Sequence, residues 1–137
     1  IGALERHSER INADASAAGA SGAPKFHIRL TEPLPALPAG IEVAAFRIVM
    51  EALTNAIRHA RAKNCTASIG VAARSGKPHL QIEVHDDGIG MPATPRPGIG
   101  IAAMRDRAEE LGGELSIEST AAGTRVMAQL PLPANQE

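Results

Sequence analysis

Between residues 41 and 62 the apolar side chains recur at positions 41, 45, 48, 49, 52, 56, 57 and 60. That spacing predicts a helix of about five turns with one buried stripe. A single stripe of this kind must face another apolar layer. The chain supplies it in runs of period two. Cys65, Ala67, Ile69 and Val71 alternate with polar neighbours, Ser75-Gly76-Lys77-Pro78 turns the chain, and Leu80, Ile82 and Val84 alternate again, which predicts an antiparallel hairpin. A second hairpin is predicted from Leu115 and Ile117, a turn through Ala121-Ala122-Gly123, and Val126, Ala128 and Leu130. Between the hairpins, a Gly/Pro-rich segment from Asp86 to Gly100 leads into a helix bearing Ile101, Met104, Ala108 and Leu111, stopped by Gly112-Gly113.

Upstream, Leu4, Ile11 and Ala15 have helical spacing within 1–16, and residues 18–24 read as a loop. Lys25 to Leu30 is extended, with Phe26, Ile28 and Leu30 on one face; Pro33, Pro35 and Pro38 then bar regular structure until Gly40. Helices and hairpins alternate without the strand-helix-strand crossovers of a doubly wound sheet. The expectation is an α+β two-layer sandwich with helices on one face.

With 137 residues, 44% of them hydrophobic, the chain suits one domain. Fourteen Lys plus Arg nearly balance fifteen Asp plus Glu, so bulk attraction to nucleic acid or anionic membrane has no support, and any anion must be held locally. Alanine fills 26 positions and Phe26 and Phe46 are the only aromatic residues, so stacking platforms and aromatic cages are missing. Cys65, the single cysteine, fits a small buried apolar side chain in a reduced compartment rather than a disulfide or a cysteine-rich zinc site. No apolar run approaches the ~18 residues of a membrane span, and residues 1–6 lack a signal-peptide core, which leads to the expectation of a soluble domain. The first residue is not Met, so a domain cut from a longer protein is expected.

Three segments could carry chemistry. Glu51, Asn55 and His59 are four apart, each displaced by about 40° around the helix, and form one polar stripe. An amide oxygen, phosphate oxygens and waters suit Mg²⁺, a role open to Asn55, with Arg58 placed to meet phosphate. The plainer alternative is a solvated face with an Arg47–Glu51 ion pair. Asp86-Asp87-Gly88-Ile89-Gly90 follows a strand: its carboxylate could accept from an exocyclic amine while the glycines admit a planar ring, although the same letters also make a common turn. Gly98-Ile99-Gly100-Ile101 opens a helix whose unpaired N–H groups could meet phosphate. A Walker-type loop is absent, since no Gly-Lys-Ser/Thr occurs.

Taken in order, Glu51-Ala52-Leu53-Thr54-Asn55-Ala56-Ile57-Arg58-His59-Ala60, Asp86-Asp87-Gly88-Ile89-Gly90, Gly98-Ile99-Gly100-Ile101-Ala102-Ala103-Met104-Arg105-Asp106-Arg107 and Gly123-Thr124 resemble the N, G1 and G2 boxes and terminal Gly-Thr of the ATP-binding catalytic domain of sensor histidine kinases. The resemblance spans about 25–132, leaving 1–24 as a leading helix and loop and 133–137 as a tail. It implies a Bergerat fold, a sandwich with a mixed, mostly antiparallel sheet. It further implies a protein histidine kinase domain that binds Mg-ATP and supplies the γ-phosphate for histidine autophosphorylation. Asp86 would accept the adenine amino group, Gly88 and Gly90 would give the base room, Ile89 and Ile101 would wall it, and Thr124 would support it through water. Asn55 would hold Mg²⁺. Gly98 and Gly100 would present amides to the phosphates, helped by Arg58 and His59. Glu51 would take the proton of the acceptor imidazole or organise the metal. Met91 to Gly98 would be a short lid of the kind found in a subfamily whose response regulators often have helix-turn-helix outputs.

The phosphoacceptor histidine of this family sits on a helical hairpin, and none fits before Ile41; His7 lies on a lone helix and is a poor acceptor. The fragment is therefore expected to be monomeric, to bind ATP without completing transfer, and to be a cytoplasmic part of a parent either free or membrane-anchored. Alternatives within the same superfamily are a serine kinase of the anti-sigma-factor type and a non-catalytic nucleotide switch.

Overall fold

Pro38 closes the proline-rich stretch, and the first long helix begins one residue later, its Glu42 N–H bonded to the Pro38 carbonyl at 3.0 Å. A computed structural model describes residues 25–31, 36–57, 63–89 and 100–133. In chain order its elements are β1 (Lys25–Leu30), α1 (Ala39–Asn55), β2 (Asn64–Arg74), β3 (Lys77–Asp86), α2 (Ile101–Glu110), β4 (Glu114–Thr120) and β5 (Gly123–Pro131). The helix expected over 1–16, the loop after it, His7, the lid at 91–98 and residues 134–137 lie outside the described residues.

The predicted stripe of α1 is its buried face: Ile41, Ala45, Ile48, Val49 and Ala52 pack into the core with Ala44, Leu53 and Ala56. After Asn55, Ala56 and Ile57 continue in a wider π-type turn, and the expected extension through 58–62 lies outside the described residues.

The five strands form one sheet in the order β1-β2-β3-β5-β4. Three of its pairings are antiparallel, and β1 runs parallel to β2, with Phe26 beside Cys65 and Leu30 beside Ile69. Thus β1, α1 and β2 form a strand-helix-strand unit, which corrects the expectation that no such crossover occurs. The physical reason is length. A helix of 17 residues rises about 25 Å and returns the chain to the end of the sheet where β1 began, so the next strand runs β1's way.

Alternation divides the sheet cleanly. Phe26, Ala67, Ile69, Leu80, Ile82, Val84, Val126, Ala128 and Leu130 join the buried face of α1 with Met104 and Ala108 of α2 in one core. The other face is polar, with Thr66, Gln81, Glu83, His85, Arg125 and Gln129, and Arg125 Nε lies 3.1 Å from Glu83 Oε2. His27 and His85 are exposed there, and Val71 is exposed where β2 runs toward its turn. The outer strands β1 and β4 turn Lys25, His27 and Arg29, and Glu114, Ser116 and Glu118, to solvent. The result is the expected two-layer α+β sandwich with an open sheet.

The glycine stop of α2 also holds: Gly112 adopts φ +80°, its N–H bonds the Glu109 carbonyl at 2.9 Å, and Gly113 N–H bonds the Ala108 carbonyl at 2.9 Å. This connectivity brings the C-terminal end of α1, the N-terminal end of α2, the last residue of β3 and the first residues of β5 to the same end of the sandwich.

Candidate nucleotide site

At that end the ladder registers place four side chains in a row on the helix-covered side: Cys65 on β2, Asp86 on β3, Thr124 on β5 and Ser119 on β4. Asp86 is 6% exposed. Its Oδ1 accepts the N–H groups of Gly88 at 2.9 Å and Thr124 at 3.3 Å. Both backbone bonds fall on one oxygen, which leaves Oδ2 with acceptor capacity. A buried carboxylate without a cation among the described residues is costly unless something else donates to it. Thr124 is buried, and its hydroxyl lies 3.4 Å from Ser119 Oγ. Gly123, at φ +143°, is required here because a Cβ would fall on the Asp86 carbonyl oxygen. The Gly-Thr pair therefore closes the start of β5 against the end of β3. Gly88 is buried and Ile89 is 62% exposed, an apolar side chain at the rim.

Asn55 is 5% exposed, and among the described residues neither its Oδ1 nor its Nδ2 has a hydrogen-bond partner. Such a group costs roughly 1–3 kcal/mol, and native structures hold few of them. One turn earlier, half-buried Glu51 places its carboxyl where a Cβ on Gly100 would fall. Gly100, at φ +83°, starts α2 with no side-chain cap. Glu51 thus lies over a helix start whose first N–H groups have no partner within the helix. The ion pairs among the described residues include Arg74–Glu114 and Arg125–Glu83, but not the alternative Arg47–Glu51 pair. An open groove between α1 and α2, floored by Val43, Phe46, Met50 and Met104, runs up to Glu51.

Of the residues expected in the site, the structure brings Asp86, Gly88, Ile89 and Thr124 together at one end of the sheet and Glu51 against Gly100 at the start of α2, with Asn55 buried one turn further along α1. Arg58, His59, Gly90 and Gly98 lie outside the described residues, as does the side chain of Ile101, whose backbone opens α2.

The expected small buried apolar Cys65 and the exposed Asp87 prove to be neighbours of the site that the sequence did not place there. Cys65 is fully buried beside Asp86, and burial, reinforced by the charges of Asp86 and Asp87, pushes its thiol up to about 12. It stays a protonated apolar filler. Asp87 is exposed and works as a clasp. Its Oδ1 accepts the N–H groups of Lys63 at 2.8 Å and Asn64 at 2.9 Å, and its Oδ2 accepts Asn64 Nδ2 at 3.0 Å. The Asn64 backbone bond first, then the Asn64 side chain, holds the Asp87 carboxyl below its ordinary value. A carboxyl lowered in the folded state stabilises above its unfolded pKa of about 4 and loses that contribution as pH falls through its folded value. Thermal melts at pH 7 and pH 3 should therefore show a smaller acid-induced loss for Asp87→Asn than for the wild type; equal losses would show that Asp87 contributes nothing to the acid limb.

The fold is an α+β sandwich with one parallel edge pair and with Asp86, Thr124 and Asn55 buried near one end of it. The family of histidine kinase-, DNA gyrase B- and HSP90-like ATPases matches residues 40–134, and the chain belongs to it. It is 35% identical over 96 residues to the sensor histidine kinase YxjM of Bacillus subtilis (strain 168), covering 69% of this chain and 22% of that protein. It is 37% identical over 91 residues to the nitrate/nitrite sensor protein NarQ of Escherichia coli (strain K12), covering 66% of this chain and 16% of that protein. Among solved structures, the histidine kinase domain of the blue-light activated histidine kinase from Erythrobacter litoralis EL346 superposes with a TM-score of 0.66 at 27% identity, covering 94% of this chain and 61% of that one. The chain spans less than a quarter of the length of the two curated relatives. It is an ATPase domain of the kind that sensor histidine kinases carry.

Proposed function

We propose that residues 25–132 bind Mg-ATP and present its γ-phosphate to a histidine on a helical domain outside this chain. The observation that carries this reading is the Asn55 amide, buried and, among the described residues, unpaired at both polar atoms. Among the described residues no cluster of three His, Cys, Asp or Glu could hold a metal alone. An amide oxygen that shares a cation with phosphate oxygens fits that donor set, and Mg²⁺ held there would offset charge on the phosphates.

In this reading Asp86 accepts the adenine amino group through Oδ2, Gly88 and Gly90 leave space for the ring, and Ile89 and Ile101 cover its faces. Thr124 supports the base edge through water. Gly98 and Gly100 turn amides toward the phosphates, with Arg58 and His59 beside them. Glu51 stands at the head of the groove between α1 and α2, which supports its role as proton acceptor for a histidine delivered by a docked helix. The partners are then the phosphoacceptor helical domain of the same kinase and a response regulator, with a helix-turn-helix output expected, and the setting is cytoplasmic. A serine kinase of the anti-sigma-factor type is not favoured, since the matched relatives are sensor kinases. Calorimetric titration should give saturable one-site binding of Mg-ATP and far weaker binding of Mg-GTP. No heat with Mg-ATP would overturn the reading, and equal binding of Mg-GTP would overturn the assignment of Asp86.

A further inference from the structure

We propose that Asp87 is a positioning residue for base recognition: by clasping the first residues of β2, it holds Asp86 in the orientation that reads the adenine amino group. This role rests on the reading of Asp86 given above. Asp86 is the last residue of β3, and beyond it the chain leaves the sheet. Strand ends fray, yet the direction of Asp86 Oδ2 depends on the turn in which Gly88 N–H returns to Asp86 Oδ1. The backbone torsions of Asp87 set that turn.

Asp87 is fixed from four directions. Its own N–H donates to the Asn64 carbonyl at 3.2 Å, which carries the ladder one step past the Cys65–Asp86 pair. Its carboxylate takes the N–H groups of Lys63 and Asn64 and the Asn64 side-chain amide. The Lys63 carbonyl in turn accepts Lys25 N–H at 2.9 Å, so the starts of β1 and β2 and the end of β3 meet at one carboxylate. Both oxygens of Asp87 are committed to Lys63 and Asn64, so Asp87 acts through its neighbour rather than on the ligand.

The test separates positioning from general support. Asp87→Ala and Asp87→Asn are titrated with Mg-ATP and with the Mg complex of purine riboside triphosphate, which lacks the amino group, and amide exchange is followed at Gly88 and Thr124. The wild type should prefer ATP, and Asp87→Ala should shrink that preference about tenfold, the scale of one hydrogen bond to a charged group. The two amides, both donors to Asp86 Oδ1, should exchange faster in Asp87→Ala without any nucleotide. Asp87→Asn keeps an acceptor for the two backbone N–H groups and should retain most of the preference. Equal loss of both nucleotides in Asp87→Ala, or unchanged exchange at the two amides, overturns the role of Asp87 while leaving Asp86 as the reader. A wild type that binds the two nucleotides equally overturns the reading of Asp86 and this role with it.

Discussion

Replacing Asn55 with Leu is expected to make the domain more stable and, in the same step, unable to bind Mg-ATP. Asn55 sits between Leu53 and Ala56 in the buried layer of α1, and its two polar atoms have no partner among the described residues. Each buried unsatisfied group carries its lost hydration without return, whereas an apolar side chain of similar volume carries none. Removing the amide should raise stability by about 1–2 kcal/mol, which moves the melting temperature of a domain of this size by several degrees. Nucleotide binding should fall at least about 100-fold if the amide holds the metal that bridges to the phosphates. Thermal melts and calorimetric titration of one purified variant read both effects. A less stable variant that still bound Mg-ATP would show that the amide serves the fold and not the ligand.

Asp86→Asn should leave the fold intact and weaken ATP binding about 100-fold, equivalent to roughly 3 kcal/mol. An asparagine can keep its Oδ1 on the N–H groups of Gly88 and Thr124, as the carboxylate does. Its Nδ2 then stands where Oδ2 stood, and an acceptor becomes a donor facing the donor of adenine. The loss is thus a missing bond plus two opposed N–H groups, and it falls on the amino group alone. Calorimetric titration with Mg-ATP measures it, and binding equal to that of the wild type would remove Asp86 from the base site. The two variants differ in their melts: Asn55→Leu melts higher than the wild type, while Asp86→Asn stays close to it.

The elements of this fold were legible because period alone announces them, as in the stripe from Ile41 to Ala56 or the alternation of Leu80, Ile82 and Val84. Pairing was less so. Nothing local in Phe26, Ile28 and Leu30 says that they lie beside Cys65, Ala67 and Ile69 in parallel. The motif residues Asp86, Gly88, Asn55 and Thr124 could be nominated from order and spacing, but their condition could not. The burial of Asn55 depends on what packs over the polar side of α1, and a helical wheel shows only one helix. The clasp at Asp87 joins residues 24 apart, and the Thr124–Asp86 bond joins residues 38 apart. In the sequence, Asp86 and Asp87 are two equivalent letters of a turn. Only the end of β3 separates them into a buried acceptor and an exposed clasp.

The two outer strands carry a further consequence. Along β1 the exposed positions are Lys25, His27 and Arg29, and along β4 they are Glu114, Ser116, Glu118, Ser119 and Thr120. Among the described residues β1 and β4 border the sheet, and a strand at a border offers N–H and C=O groups to which a second copy could add itself. Joining β1 to β1, or β4 to β4, would set like charges against each other across the new ladder. The charge along each border thus disfavours pairing of the sheet with a second copy of itself, while the opposite signs of the two borders leave pairing of β1 with β4 as the one combination that charge does not oppose.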